Sequence, residues 1–262
     1  MNTDKFTLDI SLTTIPSRIK KLHEGLESLL DQTIKIKNIY IIIPLKYKRF
    51  IDIVTNDDII EFLSKIKHPN KKIIKIIRPA IDYGPGSKVL GYVENNENVF
   101  DDNNFMLFLD DDKIYSKEIA KFYLDKIESN DIVAHYDKYG KHVTIIQGVY
   151  GILVRTKILD KLVKFYNFIK NNEDVFFHDD IWLSYYFYFI KGKLRTLSIK
   201  YYIKTFGSKF PCIPYDNSHN ALAHLTGSNL RPILRDRLVK YFKDKENDII
   251  EHLFSSLSSQ ET

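Results

Sequence analysis

The stretch FMLFLDDDKIY, residues 105–115, is a run of five apolar residues followed by three consecutive aspartates. A short apolar run of this kind is typical of a strand that is buried on both faces of a parallel sheet. Parallel sheets bind ligands beyond the carboxyl ends of their strands, which is where this run places its carboxylates. Because three adjacent negative charges repel one another, we expect a cation opposite them. The stretch therefore predicts an α/β fold with an acidic ligand site at the end of a strand.

The segments around this stretch alternate between strand and helix patterns, which predicts a mostly parallel sheet covered by helices on both faces. Strand patterns lie at 8–14, 36–44, 72–78, 131–136, 149–155 and 194–204. Helix patterns lie at 17–30, 57–66, 116–129, 156–170, 179–193 and, as a terminal helix, 232–254. Residues 205–231 combine Gly, Pro, Ser, Asn and His without periodicity, which indicates a long functional loop. No repeat or linker divides the chain, so we predict a single domain.

The composition is that of a folded globular protein, since 44% of the 262 residues are hydrophobic and 13% are aromatic. A formal net charge of +5 favours anionic partners such as nucleotides, but no stretch resembles a basic arm for nucleic acid. The single cysteine, Cys212, excludes an intrachain disulfide framework and a multi-cysteine zinc site. With no secretory signal at the start and no apolar run of membrane-spanning length, we expect a cytoplasmic protein without a membrane span. The abundance of Ile, Lys, Asn and Tyr is typical of an A+T-rich genome and carries no functional information.

The three aspartates form the first candidate site. In an extended chain alternate side chains point the same way, so Asp110 and Asp112 are expected to converge while Asp111 points elsewhere. Carboxylate oxygens suit Mg²⁺ or Mn²⁺, which commonly keep waters and bridge a substrate diphosphate. The alternative is a solvated acidic turn that caps the helix beginning at Ser116.

The stretch IDYGPGSKVLGY, residues 81–92, forms the second candidate site. Gly84 and Gly86 permit backbone conformations and close approaches that other residues do not. Lys88 follows at a predicted helix start, which suits an anionic group, and we expect its side chain to be exposed. Asp82 and Lys88 are therefore candidates for ligand binding, and Arg18 is a further candidate for phosphate contact. The alternatives are an ordinary turn, since YGPG is good turn sequence, and a solvated arginine.

The stretch FFHDDIWLSYYF, residues 176–187, places His178, Asp179 and Asp180 at the start of a predicted helix. Capping of the free backbone N–H groups explains one aspartate but not the whole cluster. We therefore take this helix start as a third candidate site. The aromatic run YYFYF, residues 185–189, is either core or the surface of a homodimer.

Together these stretches resemble the GT-A glycosyltransferases of the family 2-like, inverting type. The resemblance rests on the Asp-x-Asp that closes a mid-chain strand and on ISLTTIPSRI, residues 10–19, because many members open with a strand and a Thr-Thr-x-Pro-x-Arg turn. It extends over about residues 8–197. It implies a GT-A-like, Rossmann-related sheet within one domain. Its parts are a nucleotide-sugar-binding half over 8–135, an acceptor-side half over 136–231, and a C-terminal helix and tail over 232–262.

In such an enzyme the donor is a nucleoside diphosphate sugar, most often a UDP-sugar, and Mn²⁺ or Mg²⁺ binds its diphosphate. The resemblance makes Asp112 the main metal ligand and places Asp110 near the ribose or the metal. A further metal ligand, often a histidine, comes from the C-terminal loop, where His219 and His224 are candidates and His224 is preferred. The residues that the resemblance implies in donor binding are Thr13, Arg18, Asp82, Lys88, Asp110 and Asp111.

The resemblance also gives roles to the second acidic stretch. Inverting members have an acidic pair here, whose second carboxylate takes the proton of the acceptor hydroxyl as its oxygen attacks the sugar. Asp180 is accordingly the predicted general base, and Asp179 is predicted to bind the acceptor, which is a glycan, a protein or a small molecule. The chain has His178 and Asp179 where a glutamate more often precedes the final aspartate, so the choice of base stays open. QGVYGILVR, residues 147–155, either lines the acceptor side or has glycines only for close packing.

Other functions fit parts of the same pattern. A nucleotidyltransferase or a metal-dependent phosphodiesterase also combines an α/β sheet with metal-binding carboxylates. The non-enzyme alternative is a nucleotide- or carbohydrate-binding protein that has kept the fold without turnover, and the intact Asp110, Asp112 and Asp180 argue against it. The prediction from the sequence is therefore a metal-dependent glycosyltransferase of the hexosyltransferase type.

Overall fold

The computed structural model describes residues 6–96, 100–137, 143–206 and 227–255. Its strands are β1 (Thr7–Thr13), β2 (Ile39–Ile42), β3 (Ile74–Ile77), β4 (Asn104–Phe108), β5 (Ile132–Asp137), β6 (Ile145–Arg155) and β7 (Leu194–Leu197). Its α-helices are α1 (Leu22–Leu30), α2 (Asn56–Lys65), α3 (Ser87–Asn95), α4 (Ile119–Ile127), α5 (Leu162–Ile169), α6 (Asp179–Phe189), α7 (Ile199–Phe206), α8 (Gly227–Asp244) and α9 (Glu246–Phe254). None of the described helices is long and apolar enough to cross a membrane.

The seven strands form one sheet in the spatial order β3-β2-β1-β4-β6-β5-β7. β1 pairs in parallel with β2 and β4, β2 with β3, and β5 with β7. Only β6 runs antiparallel to its neighbours β4 and β5. The predicted α/β fold with a mostly parallel sheet is therefore confirmed.

Both faces of the sheet are covered by apolar side chains, as the strand pattern of residues 105–109 predicted. Met106 and Phe108 belong to the core on one face, together with side chains of α3, α5, α6, α8 and α9. Phe105, Leu107 and Leu109 belong to the core on the other face, together with side chains of α1, α2, α4 and α7. All five are at most 3% exposed, so this strand has no polar face and its charges can only follow it.

The predicted strand over 194–204 is wrong in its second half, because β7 ends at Leu197 and α7 begins at Ile199. The side chain of Ser198 accepts a hydrogen bond from the N–H of Lys200 at 3.2 Å, which favours a helix start. Tyr202 and Phe206, four residues apart on α7, both pack their rings against Phe122. Residues four apart share a face in a helix as well as in a strand, so the spacing alone did not distinguish the two structures.

The C-terminal helix is also different from the prediction, since 232–254 divides into α8 and α9 at Lys245. Of the predicted loop 205–231, residues 205–206 belong to α7 and 227–231 belong to α8, and the remainder lies outside the described residues. The aromatic run 185–189 is mainly core, because Tyr185 stacks on Phe242 of α8 with ring centroids 4.4 Å apart.

The sheet topology brings several strand ends to one edge. The carboxyl ends of β1, β2, β3 and β4 meet there because these strands are parallel. β6 runs the other way, so the residues before Ile152, which pairs with Phe108 at the end of β4, extend past that edge. The register with β5 also shifts there, from Ala134 opposite Ile152 to His135 opposite Gln147. Residues 148–151 are thereby displaced toward the edge at which the acidic residues lie.

Candidate active site

The backbone of the turn after β4 is held by hydrogen bonds to β1 and to the side chain of Tyr115. The N–H of Leu109 donates to the carbonyl of Ser11 at 3.0 Å, which continues the pairing with β1 for one residue. The buried hydroxyl of Tyr115 accepts from the N–H of Asp110 at 3.0 Å and donates to its carbonyl at 2.9 Å. The chain therefore turns sharply after the strand and holds the three aspartates at the sheet edge.

Each of the three aspartates faces a cationic side chain, as the charge repulsion between them predicted. Lys88 Nζ lies 2.9 Å from Asp110 Oδ1. Arg18 Nη1 lies 2.6 Å from Asp111 Oδ1 and 3.4 Å from Asp112 Oδ2. The solvated acidic turn is therefore not what the structure shows, because two aspartates share one arginine and the other binds a lysine.

Asp111 does not point away from the site, contrary to the alternation expected for an extended chain. It is 6% exposed and accepts a hydrogen bond from the hydroxyl of Thr14 at 2.7 Å, besides its bond to Arg18. Burial raises the pKa of Asp111 above its ordinary value, although Arg18 opposes the shift. The cause of the difference is the turn at Tyr115, which ends the extended backbone directly after the strand.

Lys88 is buried, at 3% exposure, so the predicted exposed lysine is wrong. α3 begins at Ser87, as expected, but its first turn lies under β1, where the Ser11 hydroxyl donates to the Lys88 carbonyl at 2.6 Å. Lys88 Nζ lies 3.3 Å from Asp179 Oδ2 in addition to its contact with Asp110. Burial alone would lower the pKa of Lys88, but Asp110, Asp179 and Asp180 raise it above its ordinary value. The ammonium is therefore a permanent charge that joins the two acidic stretches.

The second acidic stretch begins α6, as predicted, with Asp179 as the first residue of the helix. Asp180 Oδ1 accepts a hydrogen bond from the N–H of Gly148 at 2.8 Å. A Cβ atom at position 148 would lie 2.8 Å from the same oxygen, so only glycine permits this approach. The Ser184 hydroxyl donates to the Asp180 carbonyl at 2.5 Å and accepts from the N–H of Ile146 at 3.0 Å. β6 and the start of α6 are thus held together.

The two carboxyl groups of this stretch differ in their electrostatic environment. Burial and the neighbouring charge of Asp179 raise the pKa of Asp180 to about 7, while Lys88 and the Gly148 N–H oppose the shift. Asp179 is 9% exposed and lies in ion-pair distance of Lys88. A carboxyl group whose pKa lies near neutrality can accept a proton at physiological pH and release it again. Asp180 has the property required of a general base.

The glycine-bearing stretch before α3 is a tight turn that also faces the site. Gly84 has φ +60°, which few residues other than glycine adopt, and a Cβ there would lie 2.6 Å from the Phe176 carbonyl oxygen. Asp82 accepts hydrogen bonds from the N–H groups of Gly84 and Lys48, both at 2.8 Å. The Thr13 hydroxyl donates to the Ile42 carbonyl at 2.8 Å. Asp82 and Thr13 thus stabilise the loops at the sheet edge.

A cavity of about 450 Å³ opens between these elements. The candidates Thr13, Arg18, Asp82, Lys88, Asp110, Asp111, Asp112, Asp179 and Asp180 all line it. His219 and His224 lie outside the described residues, so the predicted histidine ligand stays a prediction. Gln147 and Gly148 of the glycine-bearing strand also line the cavity, while Gly151 packs against Leu109 and Tyr123. Gly151 therefore serves close packing, while Gly148 lies at the cavity, and its place on an acceptor side stays a prediction.

Sequence reasoning missed the loop after β2, which supplies Tyr47, Arg49 and Phe50 to the cavity. The guanidinium of Arg49 lies over the Phe50 ring, 4.8 Å from its centroid. Burial lowers the pKa of Arg49, and its buried Nη1 atom has no hydrogen-bond partner within the described ranges. The signal in the sequence is the segment KYKRF, in which aromatic and cationic residues alternate directly after a buried strand.

The charges that line the cavity do not balance, since six aspartates face three cationic side chains. Lys88 and Arg18 are paired with aspartates, whereas Arg49 makes no ion pair with any residue that the structure describes. This excess of negative charge opposes an anionic ligand such as a diphosphate and favours a cation.

The carboxylates fit a hard divalent cation. Asp112 Oδ1 is buried and accepts no well-formed hydrogen bond, although Lys113 Nζ lies 3.0 Å away. The described part of the chain contains no group of three or more His, Cys, Asp and Glu side chains arranged to hold a metal. A cation bound at Asp110 and Asp112 would thus take its remaining ligands from water and a bound diphosphate, which is the usual behaviour of Mg²⁺.

No family model and no curated protein matches the sequence. Among solved structures, the galactosyltransferase LgtC in complex with donor and acceptor sugar analogs is similar over 90% of this chain and 99% of that chain, with a TM-score of 0.52 and 11% identity. An active-site mutant of LgtC matches over 64% of this chain and 65% of that one (TM-score 0.45, 11% identity), so the chain spans slightly less than two thirds of it. TarS 1–349 of S. aureus matches over 97% and 76% (TM-score 0.47, 15% identity). The chain has the GT-A glycosyltransferase fold that its sequence predicted.

Proposed function

We propose that the protein is a glycosyltransferase, which moves a sugar from a nucleoside diphosphate sugar to an acceptor hydroxyl. The observation that carries this proposal is the cavity at the carboxyl ends of the strands. There the acidic turn after β4 and the start of α6 meet on the two sides of Lys88. The first is suited to a metal-bound diphosphate and the second to proton transfer, so donor and acceptor have separate places in one cavity.

On the donor side, Asp112 and Asp110 would hold Mg²⁺ or Mn²⁺. The ion, when bound, neutralises charge on the departing diphosphate. Arg18 keeps Asp111 and Asp112 in place, and Lys88 keeps Asp110 in place. UDP is the first carrier to test, in line with the frequency of UDP-sugars among similar enzymes.

On the acceptor side, Asp180 is assigned as the base and Asp179 as its neighbour that binds Lys88. The bond from the sugar to the diphosphate oxygen breaks while the acceptor oxygen forms a new bond to the same carbon. Asp180 takes the hydroxyl proton. Direct attack of this kind inverts the configuration at the sugar carbon. Asp180 is preferred to Asp179 because its pKa is near neutrality, whereas Asp179 is held by an ammonium group.

Incubation of the protein with Mn²⁺ and a panel of nucleotide sugars, followed by an assay of free nucleoside diphosphate, tests the proposal. We expect slow hydrolysis of one donor, and we expect a chelator to abolish it, because the acidic cavity repels an unaccompanied diphosphate. Calorimetric titration of the matching nucleoside diphosphate with and without Mn²⁺ measures the same dependence on binding alone. Equal affinity in both titrations would remove the metal from the proposal. Release of pyrophosphate from a nucleoside triphosphate would indicate a nucleotidyltransferase.

Arg49 is expected to be the cation that contacts the diphosphate, because Arg18 and Lys88 are paired within the protein. Loss of one hydrogen bond to a charged group costs about 1.5–3 kcal/mol, so Arg49→Gln should weaken nucleoside diphosphate binding about 10- to 100-fold. Binding of the nucleoside without phosphates should change little. Arg235→Gln, on α8 beside Asp236, is the matched control and should leave both affinities unchanged. Equal loss of nucleoside and diphosphate binding in Arg49→Gln would show that Arg49 supports the base or the loop instead.

A further inference from the structure

The loop between β2 and α2, residues 43–55, exposes aliphatic side chains to solvent. Ile51 is fully exposed, and Leu45 and Ile53 are exposed by 47% and 50%. The N–H of Leu45 donates to the Pro79 carbonyl at 2.9 Å, which ties this loop to the next one, where Ile81 is 52% exposed. Several aliphatic side chains exposed on two joined loops are uncommon on a protein surface that contacts only water.

The same loop is positively charged. Residues 44–53 contain three cations, Lys46, Lys48 and Arg49, and one acid, Asp52. Lys46 and Lys48 are exposed. Exposed aliphatic side chains next to exposed lysines complement a surface that is apolar inside and anionic outside, which is the chemistry of an anionic lipid bilayer. An apolar protein groove would match the isoleucines but not the lysines.

The position of the loop relates this surface to the cavity. Tyr47, Arg49 and Phe50 line the cavity, and the rings of Tyr47 and Phe50 pack edge to face with centroids 6.0 Å apart. Their inward packing leaves Ile51, the next residue, directed to solvent. A surface in contact with this loop therefore lies close to the mouth of the cavity.

We propose that the loop 43–55 docks the protein peripherally on an anionic lipid surface. Ile51, Ile53 and Leu45 enter the boundary between headgroups and acyl chains, and Lys46 and Lys48 face the anionic headgroups. Docking of this kind requires no membrane-spanning helix. The inference does not depend on the reaction that the cavity performs.

Sedimentation of the protein with vesicles of phosphatidylcholine, with and without phosphatidylglycerol, tests the proposal. We expect binding to the anionic vesicles, and weaker binding at high salt because salt screens the lysines. Ile51→Asp should lower the vesicle partition coefficient about tenfold or more, since an aliphatic side chain is lost from the bilayer and a negative charge is added. The double variant Lys46→Gln/Lys48→Gln should also lower the vesicle partition coefficient at least tenfold, because each lysine contributes a factor of about five.

Ile233→Asp is the matched control, because Ile233 on α8 is 55% exposed and lies outside the loop. It should bind vesicles as the unmodified protein does. The melting temperature should stay the same in Ile51→Asp, whose side chain makes no buried contact. Vesicle binding that is absent, that does not need anionic lipid, or that survives Ile51→Asp would overturn the proposal. A dimer in light scattering that Ile51→Asp dissociates would overturn it too, by showing that the loop contacts a second copy.

Discussion

Replacement of Asp180 by asparagine is expected to slow sugar transfer about 10²–10⁴-fold while donor binding stays nearly unchanged, because a positioned general base contributes a factor of this size. An amide cannot take the proton of the acceptor hydroxyl. It can still accept the hydrogen bond from the Gly148 N–H, so the start of α6 should keep its geometry. The transfer rate and the calorimetric affinity for the donor, both measured on this variant, separate a loss of proton transfer from a loss of donor binding.

The pH dependence of the same reaction checks the assignment independently. Burial and Asp179 raise the pKa of Asp180 to about 7. The base must be ionised to act, so kcat/KM should fall as the pH decreases through about 7. This limb should be missing from the residual activity of Asp180→Asn. An acidic limb that is retained in Asp180→Asn would assign it to another group.

Two variants make the comparison specific. Asp112→Asn should impair donor binding that depends on Mn²⁺, because the substitution removes a charged metal ligand. Asp112 is assigned no part in proton transfer, so the proton-transfer step should be unaffected. Asp179→Asn should leave a measurable rate and lower the pKa of Asp180, because the neighbouring negative charge is gone. If Asp180→Asn transferred sugar at the normal rate and Asp179→Asn did not, the two roles would be exchanged.

The sequence predicts those features of the site that local patterns encode. The pattern of residues 105–112 predicts a buried strand with charges at its end. The pattern of residues 178–182 predicts a helix that begins with aspartates. Both features are encoded by patterns of a few consecutive residues. The resemblance to GT-A enzymes then places the two stretches in one cavity, as the structure does.

The features that the sequence does not predict depend on contacts between distant segments. Lys88 and Asp179 are 91 positions apart in the sequence. Their side chains meet because antiparallel β6 lies between β4 and β5 and α6 packs against β6. No periodicity in residues 81–92 signals that the lysine is buried. Tyr202 and Phe206 fit a strand or a helix when read alone, and only their packing on Phe122 decides for the helix.

Arg49 is a third case of the same kind. The loop after β2 contains no glycine and only one proline, and its position at the cavity follows from the pairing of β2 with β1. Alternation of aromatic and cationic residues in KYKRF is compatible with a solvated loop as well as with a binding loop. Two observations favour a binding loop over a solvated one. Arg49 lines the cavity, and it makes no ion pair with any of the described residues.

Lys88→Met is expected to lower the free energy of unfolding by about 3–5 kcal/mol, the usual cost of leaving a buried charge without its partner. The lysine is buried between Asp110 and Asp179, so its loss leaves two carboxylates close together without a cation. Chemical denaturation at neutral pH measures the change.

Lys88→Arg, which keeps the charge, should recover part of the loss, and so should the addition of Asp110→Asn to Lys88→Met. Lys157→Met is the matched control, because Lys157 is 42% exposed and pairs with the exposed Asp102 at the surface. Surface pairs contribute about 0–1 kcal/mol, so this variant should unfold nearly as the unmodified protein does. Mn²⁺ should stabilise Lys88→Met more than the unmodified protein, because Asp110 no longer has a competing ammonium. An unchanged free energy of unfolding in Lys88→Met would mean that Asp110 and Asp179 are solvated in solution, and the joining of the two acidic stretches through Lys88 would have to be abandoned.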